Sequence, residues 1–257
     1  MLALVLLAAG CDRGNGSDAV AAAPITTPTS GSSLTPLSTP PSSPLTTPTS
    51  ASSLSWPPST ASSTRSAPVG LSAADLVAGL TSATFPQRGD GRLVTVSGEL
   101  PAPGKGRVVK VRVEVEAGLS IDPQTFASFV LHTLNDGRGW GHDGSVTFAR
   151  TDRAATVRVV LASPDTSARL CRPLQTFGRL SCRSGDAAIL TIYRWVRAIP
   201  EYGSDRTGYR RYVVSHEVGH FLGHGHGSCP GRGLPAPVMM QQTKGLQGCE
   251  PNSWPFP

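Results

Sequence analysis

Four of the six histidines of this chain stand within eleven residues, from His216 to His226. His216 and His220 are four residues apart, so a helix through this segment projects both imidazoles from one face, where they can chelate one Zn²⁺ ion. Glu217 follows His216 by one residue, which places it about 100° further around the helix. It would lie beside the metal without being a natural ligand. We therefore predict Glu217 as the general base that activates a zinc-bound water.

The third zinc ligand has to come from the residues after His220. In an unbroken helix, His224 would lie about 12 Å along the axis from His216, too far to share an ion whose ligand bonds are near 2 Å. A third imidazole reaches the metal only if the helix ends and the chain turns back, which Gly223 permits because glycine accepts a positive φ. We predict His226 as this ligand, with the fourth position open, as in catalytic zinc sites. The other histidines are interpreted as non-ligands: His132, His142 and His224.

These residues carry a resemblance to a known family. The segment HEVGHFLGHGH fits H-E-x-x-H-x-x-G-x-x-H, the signature of the metzincin zinc metalloproteases, at every fixed position. The resemblance implies a Met-turn downstream, with a methionine beneath the zinc-binding histidines. Pro237–Met240 is similar to that turn, and we assign Met239, with Met240 as the alternative. Over about residues 75–250 the chain also looks like exported actinobacterial proteins that carry this motif.

The resemblance implies a zinc-dependent endopeptidase that hydrolyses peptide bonds of a protein or peptide substrate outside the cell. In metzincins an extended substrate pairs with the edge strand of the sheet, and we expect residues 154–161 to form that strand. Two alternatives stay open, a zinc amidase that acts on peptidoglycan and a non-catalytic zinc-binding lipoprotein. Glu217 argues against the second, because a purely structural site has no use for a carboxylate there.

The elements that must position these residues follow from the sequence pattern. Residues 107–116 alternate valine with charged residues, which predicts a strand with one buried and one solvated face. Asp122 and Pro123 are typical of a helix N-cap and first position. Further strands are predicted at residues 92–96, 145–150, 154–161 and 187–193. This order indicates an α+β fold with a mixed β-sheet, and the resemblance adds a metzincin-like active-site helix and an irregular, disulfide-bridged C-terminal part.

Four cysteines in the second half of the chain predict disulfides: Cys171, Cys182, Cys229 and Cys249. An even number in an exported chain indicates two bonds, with three connectivities. We favour the local pairs Cys171–Cys182 and Cys229–Cys249, since each closes a short loop and contributes about 3 kcal/mol in the chain-entropy model. A cysteine-based zinc site would need C-x2-4-C pairs, which the sequence lacks.

Residues 1–11 predict export. Residues 1–10 are an apolar stretch of about the length of a signal-peptide core, and Ala8-Ala9-Gly10-Cys11 resembles the lipobox of bacterial lipoproteins. The resemblance implies lipidation of Cys11 and anchoring to the outer face of the bacterial cytoplasmic membrane. A plain secretory signal is the alternative.

Residues 12–70 differ in composition from the rest of the chain. From Pro24 to Pro68, 34 of 45 residues are Ser, Thr or Pro, so this segment cannot bury enough apolar surface to offset its conformational entropy. We predict a disordered linker here and one catalytic domain over residues 71–257. The net charge is +6, but the basic residues are scattered and no nucleic-acid-binding motif accompanies them, so no nucleic-acid partner is expected. The sequence leaves the oligomeric state open.

Overall fold

A computed structural model describes residues 70–257 of the chain, which fall within the compact unit Ala61–Pro257. Its helices and strands, in chain order, are α1 (Ala73–Val77), β1 (Leu93–Thr95), β2 (Arg107–Glu116), α2 (Pro123–Leu134), β3 (Val146–Arg150), β4 (Val157–Ala162), α3 (Pro164–Leu170), β5 (Cys182–Ser184), β6 (Ala187–Thr191), α4 (Ile192–Arg197) and α5 (Arg206–Phe221). The predicted leader with Cys11 and the predicted linker, apart from Gly70, lie outside the described residues. Within residues 70–257, no helix combines the length and apolarity needed to cross a bilayer.

The six strands form one mixed sheet in the order β1-β2-β4-β6-β5, and β3 pairs with the first half of β2. β3 and β4 run parallel to β2, and β6 runs parallel to β4. β1 and β5 are antiparallel to their neighbours. The predicted mixed sheet is therefore confirmed, and the molecule has an α/β architecture consistent with the α+β class.

The expectation that residues 154–161 form the edge strand is wrong. Most of this segment forms β4, which is hydrogen-bonded to β2 on one side and to β6 on the other. The strand that pairs on one side only and contacts α5 is β5. Residue alternation predicts a strand but does not determine its neighbours, because those are set by long-range pairing.

Local signals place α2 and misplace one strand end. Asp122 caps α2 by accepting a hydrogen bond from Thr125 N at 2.7 Å, and Pro123 is its first residue.

The predicted strand at 187–193 ends at Thr191 instead, because the Thr191 hydroxyl caps α4 through Tyr193 N. The apolar run continues into this helix, where Ile192 is buried as it would be in a strand.

The solvated face predicted for residues 107–116 is also partly wrong, since Glu114 and Glu116 are buried. Glu114 accepts hydrogen bonds from the guanidinium groups of Arg112 and Arg158. Glu116 accepts a hydrogen bond from the Thr166 hydroxyl at 2.8 Å, which fixes α3 on this face of the sheet. The two carboxylates of β2 are therefore buried because each accepts hydrogen bonds, whereas Arg107 and Lys110 stay exposed as predicted.

The main core lies on the other face of the sheet, beneath α2, α4 and α5. A fully buried arginine of α5, Arg210, ties the neighbouring helices to it by donating to Trp195 O, to Ala74 O (each 2.7 Å) and to the carboxylate of Asp75. Burial alone would raise the pKa of Asp75, but the hydrogen bonds from Arg210 and Ser72 outweigh it and lower this pKa to about 2. The helix that carries the histidine motif is thus held on a rigid base.

Both favoured disulfides are confirmed. The Cα atoms of Cys171 and Cys182 are 6.0 Å apart, and those of Cys229 and Cys249 are 5.8 Å apart. Because the cytosol keeps thiols reduced, the two bonds indicate an extracellular or periplasmic environment. The first bond joins the end of α3 to the start of β5, and the second closes the irregular C-terminal part.

Candidate metal centre

The helix expected through the histidine motif is α5, sixteen residues long. It begins where Asp205 caps it through Gly208 N at 2.7 Å. Its inner face buries Tyr212 and Val213 in the core, and one turn further on His216 is buried as well. The fold therefore presents the motif at the end of a helix whose first turns are anchored by packing.

The helix ends at Phe221 and the chain then reverses direction. Gly223 has a φ of 97°, and its N–H donates to His220 O at 3.2 Å. His224 N donates to Gly219 O at 3.0 Å. This pair of hydrogen bonds is the Schellman motif, which satisfies the last carbonyls of a helix and favours glycine at the residue with positive φ. The reversal thus occurs at the predicted glycine.

The reversal brings three imidazoles together. The ring centroids of His216 and His220 are 4.8 Å apart, and that of His226 lies 5.4 and 4.6 Å from them. One ring nitrogen from each histidine can be chosen so that all three lie within 4.8 Å of one another. Within the described residues, no other group of three or more His, Cys, Asp and Glu side chains is arranged to hold a metal ion.

Two of these rings are oriented by backbone carbonyls. His216 Nδ1 lies 2.8 Å from Val238 O, and His220 Nδ1 lies 3.0 Å from His224 O. A carbonyl only accepts, so both rings must carry the proton on Nδ1, which leaves Nε2 free to bind a metal. Such partners are typical of metal-binding histidines.

The protonation states of His216 and His226 also suit a metal. Burial lowers the pKa of His216 to about 4, against the opposing effect of its hydrogen bond to Val238. Desolvation and the nearby His220 lower the pKa of His226 as well. Neutral imidazole is the form that binds metals, so no proton has to be displaced from these rings near pH 7. Three imidazole nitrogen donors fit Zn²⁺.

Glu217 lies next to this cluster with its side chain 5 % exposed. Desolvation raises the pKa of its carboxyl group to about 8. A cation held by the neighbouring histidines would favour the charged carboxylate instead. Two cavities border the histidine cluster, and Glu217 lines both of them. Its carboxyl group can therefore reach a molecule bound in either cavity.

The predicted Met-turn lies against the C-terminal half of α5. Met240 N donates to Pro237 O at 2.9 Å and closes the turn. The Met239 side chain packs on Gly219, where an added Cβ would lie 2.5 Å from the Met239 sulfur. Met240 instead packs in a separate cluster with Ala236, Leu246 and Cys249. This packing favours Met239 over Met240 as the residue beneath the helix.

Sequence reasoning missed two residues that support the site. The Trp140 indole donates to Ser215 O at 2.9 Å, packs on Gly219 and stacks on the His224 ring at 4.1 Å. It thereby holds the turn whose carbonyl orients His220. The second missed residue is Gly219. This residue gave a weak signal, because glycine inside a helix is unfavourable and can mark close packing. Trp140 gave none, since its contacts are formed only by the tertiary fold.

We expect Trp140→Ala to weaken the affinity of the histidine cluster for added Zn²⁺ by about tenfold, the lower end of the effect of removing a partner that orients a metal ligand, because Trp140 acts through the turn. Trp140→Phe keeps the ring that stacks on His224 but loses the indole N–H, so it should show a smaller loss. Competition with a chromophoric chelator measures both affinities. Equal affinity in a folded Trp140→Ala protein would show that the turn holds itself in place.

The other histidines lie outside the cluster. His224 is exposed and contributes its backbone carbonyl, while its ring stacks on Trp140. His142 stacks on Phe256 near the C-terminus. His132 is exposed on α2.

Two cavities flank the histidine cluster. One, of about 330 Å³, extends from the cluster to Thr243 and Lys244. The other, of about 520 Å³, runs along Ser181, Cys182 and Arg183 at the start of β5. Together they form a cleft that the three histidines line.

Fold and site together define a disulfide-bonded α/β protein with a candidate metal centre at the C-terminal end of α5. A family model described as "Protein of unknown function (DUF3152)" matches residues 80–257, and the chain belongs to this family. The matched range contains the whole sheet and every residue of the histidine cluster. No curated protein and no solved structure matches the chain.

Proposed function

We propose that this protein is a zinc-dependent endopeptidase of the metzincin type that acts outside the cytoplasm. The observation that carries this proposal is the convergence of His216, His220 and His226 beside the buried Glu217, all of them lining one open cavity. A structural zinc site would be closed by a fourth protein ligand. Among the described residues, no fourth His, Cys, Asp or Glu joins the three histidines.

The chain supplies the remaining parts of the mechanism. Zn²⁺, when bound by the three histidines, polarises a carbonyl oxygen and lowers the pKa of a water molecule. Glu217 accepts the proton of the attacking water and passes it to the nitrogen of the leaving amine. The carbonyls of Val238 and His224 keep two of the ligands in a fixed tautomer and orientation. The surrounding burial keeps bulk water away from the Glu217 carboxylate.

The substrate would bind along β5. This strand pairs with β6 on one side, and its residues Cys182 and Arg183 line the cleft together with the histidines. An extended peptide can add to such an edge by backbone hydrogen bonds. The bond between Cys171 and Cys182 fixes the start of the strand. We therefore propose for β5 the role that the resemblance had implied for residues 154–161.

The proposed location follows from the leader and the disulfides together. We propose that Cys11 carries a lipid that anchors the protein to the outer face of the bacterial cytoplasmic membrane. Residues 12–70 would then act as a spacer that holds the catalytic domain away from the lipid surface. Protein or peptide substrates outside the cell would be within its reach.

The proposal is tested by measuring zinc content and hydrolysis on the same preparation. We expect about one zinc per chain, with cleavage of a peptide library that stops on chelation and returns when zinc is added. Purified cell wall serves as the parallel substrate. Release of wall fragments without peptide cleavage would favour the amidase, and bound zinc without any hydrolysis would favour a non-catalytic zinc-binding protein.

A further inference from the structure

The 330 Å³ cavity beside the histidine cluster, called here the Lys244 cavity, has one positively charged end. It starts at His216, Glu217 and His226 and ends at Thr243 and Lys244. The remaining side chains of its wall are apolar or neutral: Leu174, Gln175, Thr176, Leu180, Ser181, Tyr212 and Gln241. A substrate group that enters this cavity from the scissile bond would thus meet one ammonium group.

Lys244 has no charge partner within the described part of the chain. Its Nζ donates to the neutral amide oxygen of Gln241 at 3.2 Å, and the residue is exposed. The carboxyl group that shares the cavity is Glu217, which the proposed mechanism uses as the base. The positive charge of Lys244 is therefore available to a ligand.

The second cavity beside the histidine cluster carries a charge of the same sign. Arg183 on β5 is exposed, lines the second cavity and forms no ion pair in residues 70–257. Each of the two cavities beside the histidine cluster is thus lined by one lysine or arginine without an ion pair. Charge complementarity of this kind selects partners and speeds their association.

We infer that the substrate presents a carboxylate to the Lys244 cavity, so that Lys244 determines specificity for acidic peptides. This inference rests on the proposed function and names its substrate class. The carboxylate has two sources, an Asp or Glu side chain next to the scissile bond and the free C-terminus of a short peptide. Lys244 would bind either by an ion pair at the wall of a partly enclosed cavity.

The test is peptide binding to the full chain, zinc-loaded and with its disulfides formed, in a Glu217→Gln background that prevents turnover. Fluorescence anisotropy compares peptide pairs that differ by Glu or Gln at one position, and pairs with a free or amidated C-terminus. We expect a preference of about fivefold for the carboxylate member, the upper range for an exposed ion pair. It should decrease as salt is added.

The matched variants are Lys244→Met and Lys105→Met, since Lys105 is an exposed lysine on the turn before β2, away from the cleft. Lys244→Met should reduce the preference to about onefold, and Lys105→Met should keep it. Whichever peptide pair shows the preference identifies the source of the carboxylate. An unchanged preference in a folded, zinc-loaded Lys244→Met protein overturns the inference, and so does a failure of every peptide to bind.

A failure of the carboxylate preference can be distinguished from a failure of the proposed endopeptidase activity. Hydrolysis by the chain with Glu217 intact, but without any charge preference, overturns the inference alone. Charge-dependent binding without hydrolysis overturns the proposed endopeptidase activity alone. Zinc content is measured on every variant, so that loss of metal is recognised as such.

Discussion

Replacing Glu217 with glutamine should lower the rate of peptide hydrolysis by about 10²- to 10⁴-fold, the range that a positioned general base contributes. The amide has nearly the same shape and hydrogen-bonding reach, but it cannot accept a proton from water. Zinc content should stay at the wild-type level, because Glu217 is not among the three grouped ligands. Steady-state kinetics on a cleaved peptide, together with metal analysis, measure both quantities.

A matched control is Glu201→Gln. Glu201 is exposed on the short 3-10 helix Pro200–Tyr202, outside both cavities that flank the cluster. This variant should keep the wild-type rate. If the zinc-loaded Glu217→Gln protein also kept it, the base would have to be another group, and the assignment of Glu217 would be wrong.

The second large effect is expected at His226. Replacing it with alanine should weaken zinc affinity by more than about 100-fold, because losing only an orienting partner of a ligand already costs 10- to 100-fold. The residual pair, His216 and His220, would hold the ion by two nitrogens from one helix face. Hydrolysis should fall in parallel and recover only partly at high zinc concentration. Chelator competition gives the affinity.

The control for His226→Ala is His224→Ala, at the histidine two residues earlier in the chain. His224→Ala removes a ring that stacks on Trp140 but keeps the carbonyl that orients His220. We expect its zinc affinity to change by less than that of His226→Ala, by about tenfold at most. The reverse order of effects would mean that His224 is the ligand, and that the chain reversal at Gly223 serves another purpose.

Several elements could be predicted because their signals are local. The alternation in residues 107–116 gives β2 with the predicted ends, and the Asp122-Pro123 pair gives the start of α2. The disulfides follow from loop length, since each cysteine pairs with its nearest neighbour in the chain. In each case the deciding interaction lies within about twenty residues.

Other features depended on partners that are distant in sequence. The pattern of β4 is that of any buried strand, and its interior position is set by pairing with β2 and β6. Likewise, Glu114 and Glu116 look solvent-exposed in the sequence, but Arg158 and Thr166 cover them in the fold. A charged residue is buried only when a partner is supplied, and that partner is not visible in the local pattern.

By itself the sequence determined which side chains can chelate a metal, because His216, His220 and His226 are linked by one helix end and a glycine turn whose geometry is local. Only the tertiary structure decided how these rings are held and what surrounds them. The carbonyl of Val238, the ring of Trp140, the edge strand β5 and the charge of Lys244 come from four other segments of the chain. The physical reason is that helix periodicity and glycine φ act over a few residues, whereas packing and long-range hydrogen bonds form only when the whole core assembles.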